Sequence, residues 1–220
     1  QANEQLPVPL DTVYLDYDVI GSKRDGEREL LEVLLVAGKK EMIDSLIRVL
    51  TAARLRPLEI EVLPLTLLRL LKQAGTGRVV AAVDIGENLS NMVIADALKP
   101  RLARMMITGL EAGLQQTAAA SEEVDWPPTE QEANYLELIN NIRATIGFYQ
   151  SHKEARPVER VLVTGKIARL AQVAGQMEGE LRLPVTLLRP LEVLKIRFNG
   201  ANNPLTDYGL AMSLAYRGWE

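Results

Sequence analysis

The sequence contains no cysteine, a single histidine and only 5% aromatic residues in 220. Without Cys there can be no disulfide, no thiol nucleophile and no thiolate metal site. One imidazole, His152, cannot furnish a His-ligated metal centre, and any serine-type relay would have to be built around it. Its place at the end of a helical segment reads instead as a polar residue near a helix C-terminus. Positive charge is not in excess either: 25 Lys and Arg against 29 Asp and Glu leave a net charge of −4. General nucleic-acid binding needs a basic surplus to release phosphate counterions, so that class is excluded. No run approaches the roughly eighteen uninterrupted apolar residues of a membrane-spanning helix, and no basic-then-apolar leader opens the sequence. The first residue is Gln, which suggests a segment of a longer protein. What is present, 47% hydrophobic and 25% charged residues with 15 Gly and 11 Pro, is the composition of a globular protein with ample core material.

The charge is uneven along the chain. Residues 121–134 hold five acidic residues and no basic one. This stretch, SEEVDWPPTEQEA, reads as a solvated loop leading into a helix, with Thr129 as N-cap and Glu132 as the other half of a capping box. Trp126 and Trp219 could anchor a partner or simply plug local packing, and the basic cluster at 195–197 is too small to define a surface.

Hydrophobic periodicity gives the elements. Residues 13–20 and 30–37 read as strands separated by the turn-rich GSKRDGER. Met42, Ile43, Leu46, Ile47, Leu50 and Ala53 recur at helical spacing up to Pro57. Leu58, Ile60 and Val62 alternate with Glu59 and Glu61 as in a half-wet strand, and LPLTLLRLLKQAG is a second helix. Residues 10–72 therefore predict a β-β-α-β-α unit. The second half predicts an antiparallel meander over 79–107, a helix near 110–119, a long helix with Tyr135, Leu138, Ile139, Ile142, Ile146 and Tyr149 on one face, then the buried strand VERVLVTG. A helix around 167–181, a short strand at 184–188 and a small-residue helix with Gly209, Ala211, Ser213 and Ala215 close the chain.

Two segments have the form of a phosphate site. In VVAAVDIGENLS a buried strand delivers Asp84 to a tight turn at Gly86, where a carboxylate could hold the waters of Mg²⁺. In RVLVTGKIARL a strand turns into a helix at Gly165, where backbone N–H groups can meet a phosphate or nucleoside. Each alone is an ordinary turn; their linear order, about 80 residues apart, is the specific signal.

That order resembles the actin-like ATPase superfamily and, within it, the PilM family of type IV pilus assembly proteins, relatives of FtsA. VDIGENLSNMVI looks like the second phosphate motif, GFYQSHKEARPVERVLVTGKIARL like the helix and strand of the adenosine motif, LRLPVTLLRPLEVL like the strand and loop after it, and the first 75 residues like the 1C subdomain. The resemblance implies an α/β, ribonuclease H-like fold, present in part, with a 1C-type subdomain over 1–77 and lobe 2 over 78–220, a short 2B-type insertion lying around 120–155. It implies Asp84, Gly86, Asn88, Ser90, Thr164, Gly165 and Lys166 as nucleotide-binding positions, with Asp84 holding Mg²⁺ through water, and ATP and Mg²⁺ as ligands. No residue is assigned a catalytic role. The first phosphate motif of lobe 1A has no counterpart, Lys166 stands where a second glycine is usual, and Glu87 sets a negative charge beside the anion position. These departures predict an incomplete or degenerate site and a chain that is not a competent ATPase.

The function so implied is a cytoplasmic scaffold of pilus biogenesis. It would dock the tail of a PilN-like inner-membrane protein on the 10–72 unit, meet other pilus assembly proteins, and touch the membrane only through partners, with homo-oligomerisation a further option. Two alternatives follow from the same resemblance: a Mg-ATP-dependent ATPase or phosphotransferase of the actin and sugar-kinase superfamily, and the cytoplasmic domain of a GspL-like type II secretion protein. The latter continues into a transmembrane helix, which this sequence lacks.

Overall fold

The computed structural model describes residues 9–26, 28–74, 79–109, 129–166, 171–197 and 208–217. The expected helix at 110–119, the acidic stretch 121–128, Trp126 and Trp219 lie outside the described residues. The chain forms two compact units, Gln1–Val62 and Leu63–Glu220.

The first unit is an antiparallel hairpin of β1 (Val13–Asp25) and β2 (Arg28–Lys39), followed by helix α1 (Lys40–Ala52). The strands run through most of the polar GSKRDGER segment that the sequence assigns to a turn. Backbone pairing, available to any side chain, carries the ladder on to Asp25 opposite Arg28. Gly26, at φ +61, takes the left-handed conformation at the reversal. A bulge between Val19 and Gly21 interrupts the register. Face assignment follows the two-residue period. Before the bulge Leu15, Tyr17 and Val19 oppose Ala37, Leu35 and Val33 on one face, while Tyr14 and Val36 stand on the other. Helix α1 covers the second face: Tyr14 Oη donates to Asp44 Oδ1 at 2.9 Å, Lys40 lies 5.6 Å over the Tyr14 ring, and a Cβ at Gly38 would collide with Ile43.

Helix α1 ends before Pro57. Arg54 takes φ +60, its N–H reaching Thr51 O and that of Leu55 reaching Leu50 O, the left-handed C-terminal motif usually built on glycine. Residues 57–62 then form no strand, contrary to the alternation of Leu58, Ile60 and Val62. A period-2 pattern needs a paired neighbour to become a strand; among the described residues none pairs with this segment, and Leu58 is 86% exposed.

The second unit begins with α2 (Leu63–Ala74), which the sequence grouped with the first. Its five-stranded sheet has the order β5-β4-β3-β6-β7, from β3 (Val80–Ile85), β4 (Ser90–Asp96), β5 (Lys99–Met106), β6 (Arg160–Gly165) and β7 (Val185–Leu187). β3, β4 and β5 form the expected antiparallel meander, and β6 and β7 run parallel to β3. Central strand β3 is buried on both faces because helices cover both. On one side α3 (Thr129–Gln150) and α4 (Ala171–Leu181) bring Leu138, Ile142 and Met177 against Ala81, Val83 and Val163. On the other, α2 sets Leu67, Leu70 and Leu71 against Val80, Ala82 and Leu162, joined by α5 (Pro190–Val193) and α6 (Gly209–Tyr216). The small residues of α6 divide: Gly209 and Ser213 face inward, with Ser213 Oγ donating to Thr66 O at 2.8 Å, while Ala211 and Ala215 are exposed.

Tyr135 on α3 is buried with its hydroxyl unpartnered, and burial, with a smaller contribution from Glu180, pushes its pKa up to about 12. The unfolded phenol ionises near pH 10. Stability from the neutral phenol is therefore complete below pH 10 and is lost as pH rises through 12. Chemical denaturation at pH 9 and 11.5 should show a drop in stability that Tyr135→Phe largely removes.

Candidate functional site

The two phosphate-type motifs, remote in sequence, meet at the C-terminal ends of adjacent parallel strands. Asp84 pairs in register with Thr164, and Ile85 with Gly165. Asp84 and Thr164 continue the side-chain phase of Ala82 and Leu162, so both stand on the sheet face covered by α2 and α6. The α6 N-terminus closes in at Gly209, where a Cβ would lie 3.2 Å from Thr164 Oγ1 and 2.7 Å from Pro190. Crevices outside the carboxyl ends of parallel strands are where open α/β sheets receive ligands.

The glycines have structural reasons of their own. Gly165 sits at φ +92, with a Cβ position 2.4 Å from Ile85 O, so it permits β3 and β6 to approach. Gly86 N–H donates to Leu89 O at 3.0 Å, and a Cβ there would meet that same oxygen at 2.6 Å. Gly109, after β5, seats beneath the turn, where a Cβ would strike Glu87 O at 2.3 Å.

The other predicted positions separate. Asn88 is exposed at the turn. Ser90 opposes Ile85 and so shares its face, away from Asp84; its hydroxyl donates to Thr108 O at 2.7 Å. Thr108 Oγ1 accepts from Asn141 Nδ2 at 2.9 Å, so this partly buried chain ties the start of β4 to α3, where Thr145 Oγ1 donates to Asn141 O at 2.7 Å. The residue opposite Asp84 is Asn91, which is buried. Motif spacing alone passes over it; the strand's two-residue phase identifies it.

Glu87 and Lys166 form an ion pair across the ends of the two strands, both side chains partly exposed. The charge at Glu87, adverse to an anion by sign, is thus met by the lysine that replaces a glycine in the second motif. Thr164 Oγ1 is buried with no hydrogen-bond partner. The Asp84 carboxylate and the orphaned Thr164 hydroxyl stand side by side at the ends of β3 and β6, and Lys166 lies two residues past Thr164; carboxylate, hydroxyl and ammonium are the groups that could hold a phosphate with hydrated Mg²⁺.

His152 is exposed at the end of α3, with Nδ1 3.0 and 3.1 Å from the carbonyl oxygens of Phe148 and Tyr149. That is the helix-end role the sequence gives it. Lys195, Ile196 and Arg197 lie in an exposed irregular segment after α5. Among the described residues no cluster of three or more His, Cys, Asp or Glu could hold a metal ion, and no helix is long and apolar enough to cross a membrane.

Residues 1–109 match the family model of the type IV pilus assembly protein PilM. No curated protein matches the sequence. Among solved structures, the PilM-PilN type IV pilus biogenesis complex contains a chain that aligns with 100% of this one over 70% of its own length, at 21% identity and a TM-score of 0.75. The ethanolamine utilization protein EutJ from Carboxydothermus hydrogenoformans aligns with 77% of this chain over 60% of its own, at 18% identity and a TM-score of 0.43. MreB 5 of Spiroplasma citri, solved with AMPPNP, aligns with 83% over 66%, at 10% identity and a TM-score of 0.48. The chain is PilM-like in sequence over 1–109 and has the α/β fold of the PilM chain along its length.

Proposed function

We propose that this PilM-like chain is a cytoplasmic scaffold of type IV pilus assembly, and that its first unit captures the extended tail of a PilN-like inner-membrane protein. The carrying observation is the hairpin of the first unit. Among the described residues no third strand pairs with it, and the face opposite α1 exposes Tyr17 at 70%, Leu31 at 64%, and also Leu15, Val19 and Val33. A two-stranded sheet is marginal alone, and an extended peptide that adds a strand supplies both backbone partners and apolar cover. The match to the PilM family model spans this whole unit, and the structural match is to a chain solved with PilN.

Charge supports the same reading. Residues 1–62 hold 8 basic and 12 acidic residues, a net −4, whereas 63–220 hold 17 of each. The acidic balance of the whole chain therefore resides in the hairpin unit. Cytoplasmic tails beside transmembrane helices are rich in Lys and Arg, so an acidic receiver is complementary.

In the same reading Asp84, Thr164 and Lys166 are a reduced phosphate seat. Bound there, ATP with Mg²⁺ would contribute ligand-dependent ordering of the β3 and β6 ends; Asp84 would orient metal-bound water, while Thr164 and Lys166 would hold phosphate oxygens.

Calorimetric titration of a PilN-type N-terminal tail peptide into the full chain tests the docking. Tyr17→Asp and Leu31→Asp, on an exposed face, should each weaken binding by about tenfold or more, a cost of about 1.4 kcal/mol, with the melting midpoint unchanged. Met42→Asp, on exposed surface of α1, should bind like the parent. Undiminished binding in both hairpin variants would refute the assignment.

A further inference from the structure

We propose that the ion pair of Glu87 and Lys166 is an electrostatic latch on the seat formed by Asp84 and Thr164, so that Glu87 sets the affinity of that seat for phosphoanions by occupying Lys166. The inference rests on the reading of these strand ends as a phosphate seat.

The geometry supports it in three ways. Ile85 pairs with Gly165, so Lys166 is the first residue past that pair on its strand and Glu87 the second on the other; the two charges leave adjacent parallel strands one residue out of step and bridge the strand ends. Second, the pair is only partly buried, which keeps it weak and exchangeable, because water and salt screen it. A multiply charged phosphate can therefore take the ammonium from a single carboxylate. Third, the hydroxyl of Thr164, which pairs with Asp84 two residues before Lys166, is buried and unpartnered, whereas buried polar groups normally find a partner. With Lys166 held by Glu87, the seat retains an uncommitted donor beside the Asp84 carboxylate, and its cation is already spent.

Two effects of Glu87 on an incoming anion can be separated. It can compete for Lys166, or it can simply repel the anion through space. Only the first disappears when Lys166 is removed.

Inorganic pyrophosphate with Mg²⁺, titrated calorimetrically into the full chain, is the probe, with each variant's thermal midpoint measured alongside. Glu87→Gln should tighten pyrophosphate binding about tenfold, and Lys166→Met should weaken it about tenfold. In the double variant, removing the charge at 87 should change nothing beyond Lys166→Met. An equal gain from Glu87→Gln with and without Lys166 would overturn the latch in favour of through-space repulsion. Equal binding by the parent and Glu87→Gln would overturn the latch and leave the seat standing. Absence of binding in the parent and in every folded variant would overturn the seat and the latch together, and would leave peptide docking on the first unit untouched.

Discussion

Replacing Gly165 by alanine should lower the stability of the second unit by about 3 kcal/mol. The residue sits at φ +92, outside the small left-handed region that L-residues tolerate, and such strain costs of order 1–3 kcal/mol. The added methyl carbon would also lie 2.4 Å from Ile85 O, 2.8 Å from Ile85 N and 3.0 Å from Asp84 Oδ1. Backbone atoms of a central strand cannot yield as the end of a flexible side chain can. β3 and β6 would have to part where Asp84 pairs with Thr164, disturbing the seat as well as the core. Denaturant unfolding at neutral pH measures the loss, and a change below about 1 kcal/mol would mean that the close approach of these strands is not essential.

Leu70→Ala should cost about as much, within the roughly 2–5 kcal/mol usual for deleting a buried leucine side chain. Leu70 has no exposed surface and packs in the core with Val80, Ala82 and Leu162. The location of the loss is the informative part. Hydrogen exchange should accelerate in β3 and β4, because α2 covers their sheet, and should stay unchanged in β1 and β2. Acceleration confined to the hairpin would return α2 to the first unit, where the sequence pattern had placed it.

Local signals served well where one element's pattern met one environment. The apolar run into Asp84 is strand β3, buried on both faces; the face of Leu138, Ile142 and Ile146 is indeed the buried face of α3. They failed where pairing decides. Leu58, Ile60 and Val62 alternate like a strand but pair with none of the described residues, and the polar hairpin end is strand because the opposing backbone is there. The unit boundary is hidden for a similar reason: an amphipathic helix shows which of its faces is apolar, not which sheet receives it.

At the proposed seat, Asp84, Thr164 and Gly165 are legible in the sequence by their position at strand ends. The sequence could not tell Ser90 from Asn91, because the face each occupies depends on the register of β4 against β3. The pairing of Glu87 with Lys166 joins residues 79 apart in the chain and was visible beforehand only as two separate departures from a motif. The proposed seat uses one carboxylate, one hydroxyl and one ammonium, groups that require neither Cys nor His.

The most direct test of the scaffold is a hydrogen-exchange footprint of a PilN-type N-terminal tail peptide on the full chain. Strand addition to the hairpin predicts slowed exchange in β1 or β2, at the edge the peptide joins, with no protection gained in β3 or β6. Protection appearing at the ends of β3 and β6 instead, or no change in the hairpin at saturating peptide, would contradict docking on the first unit.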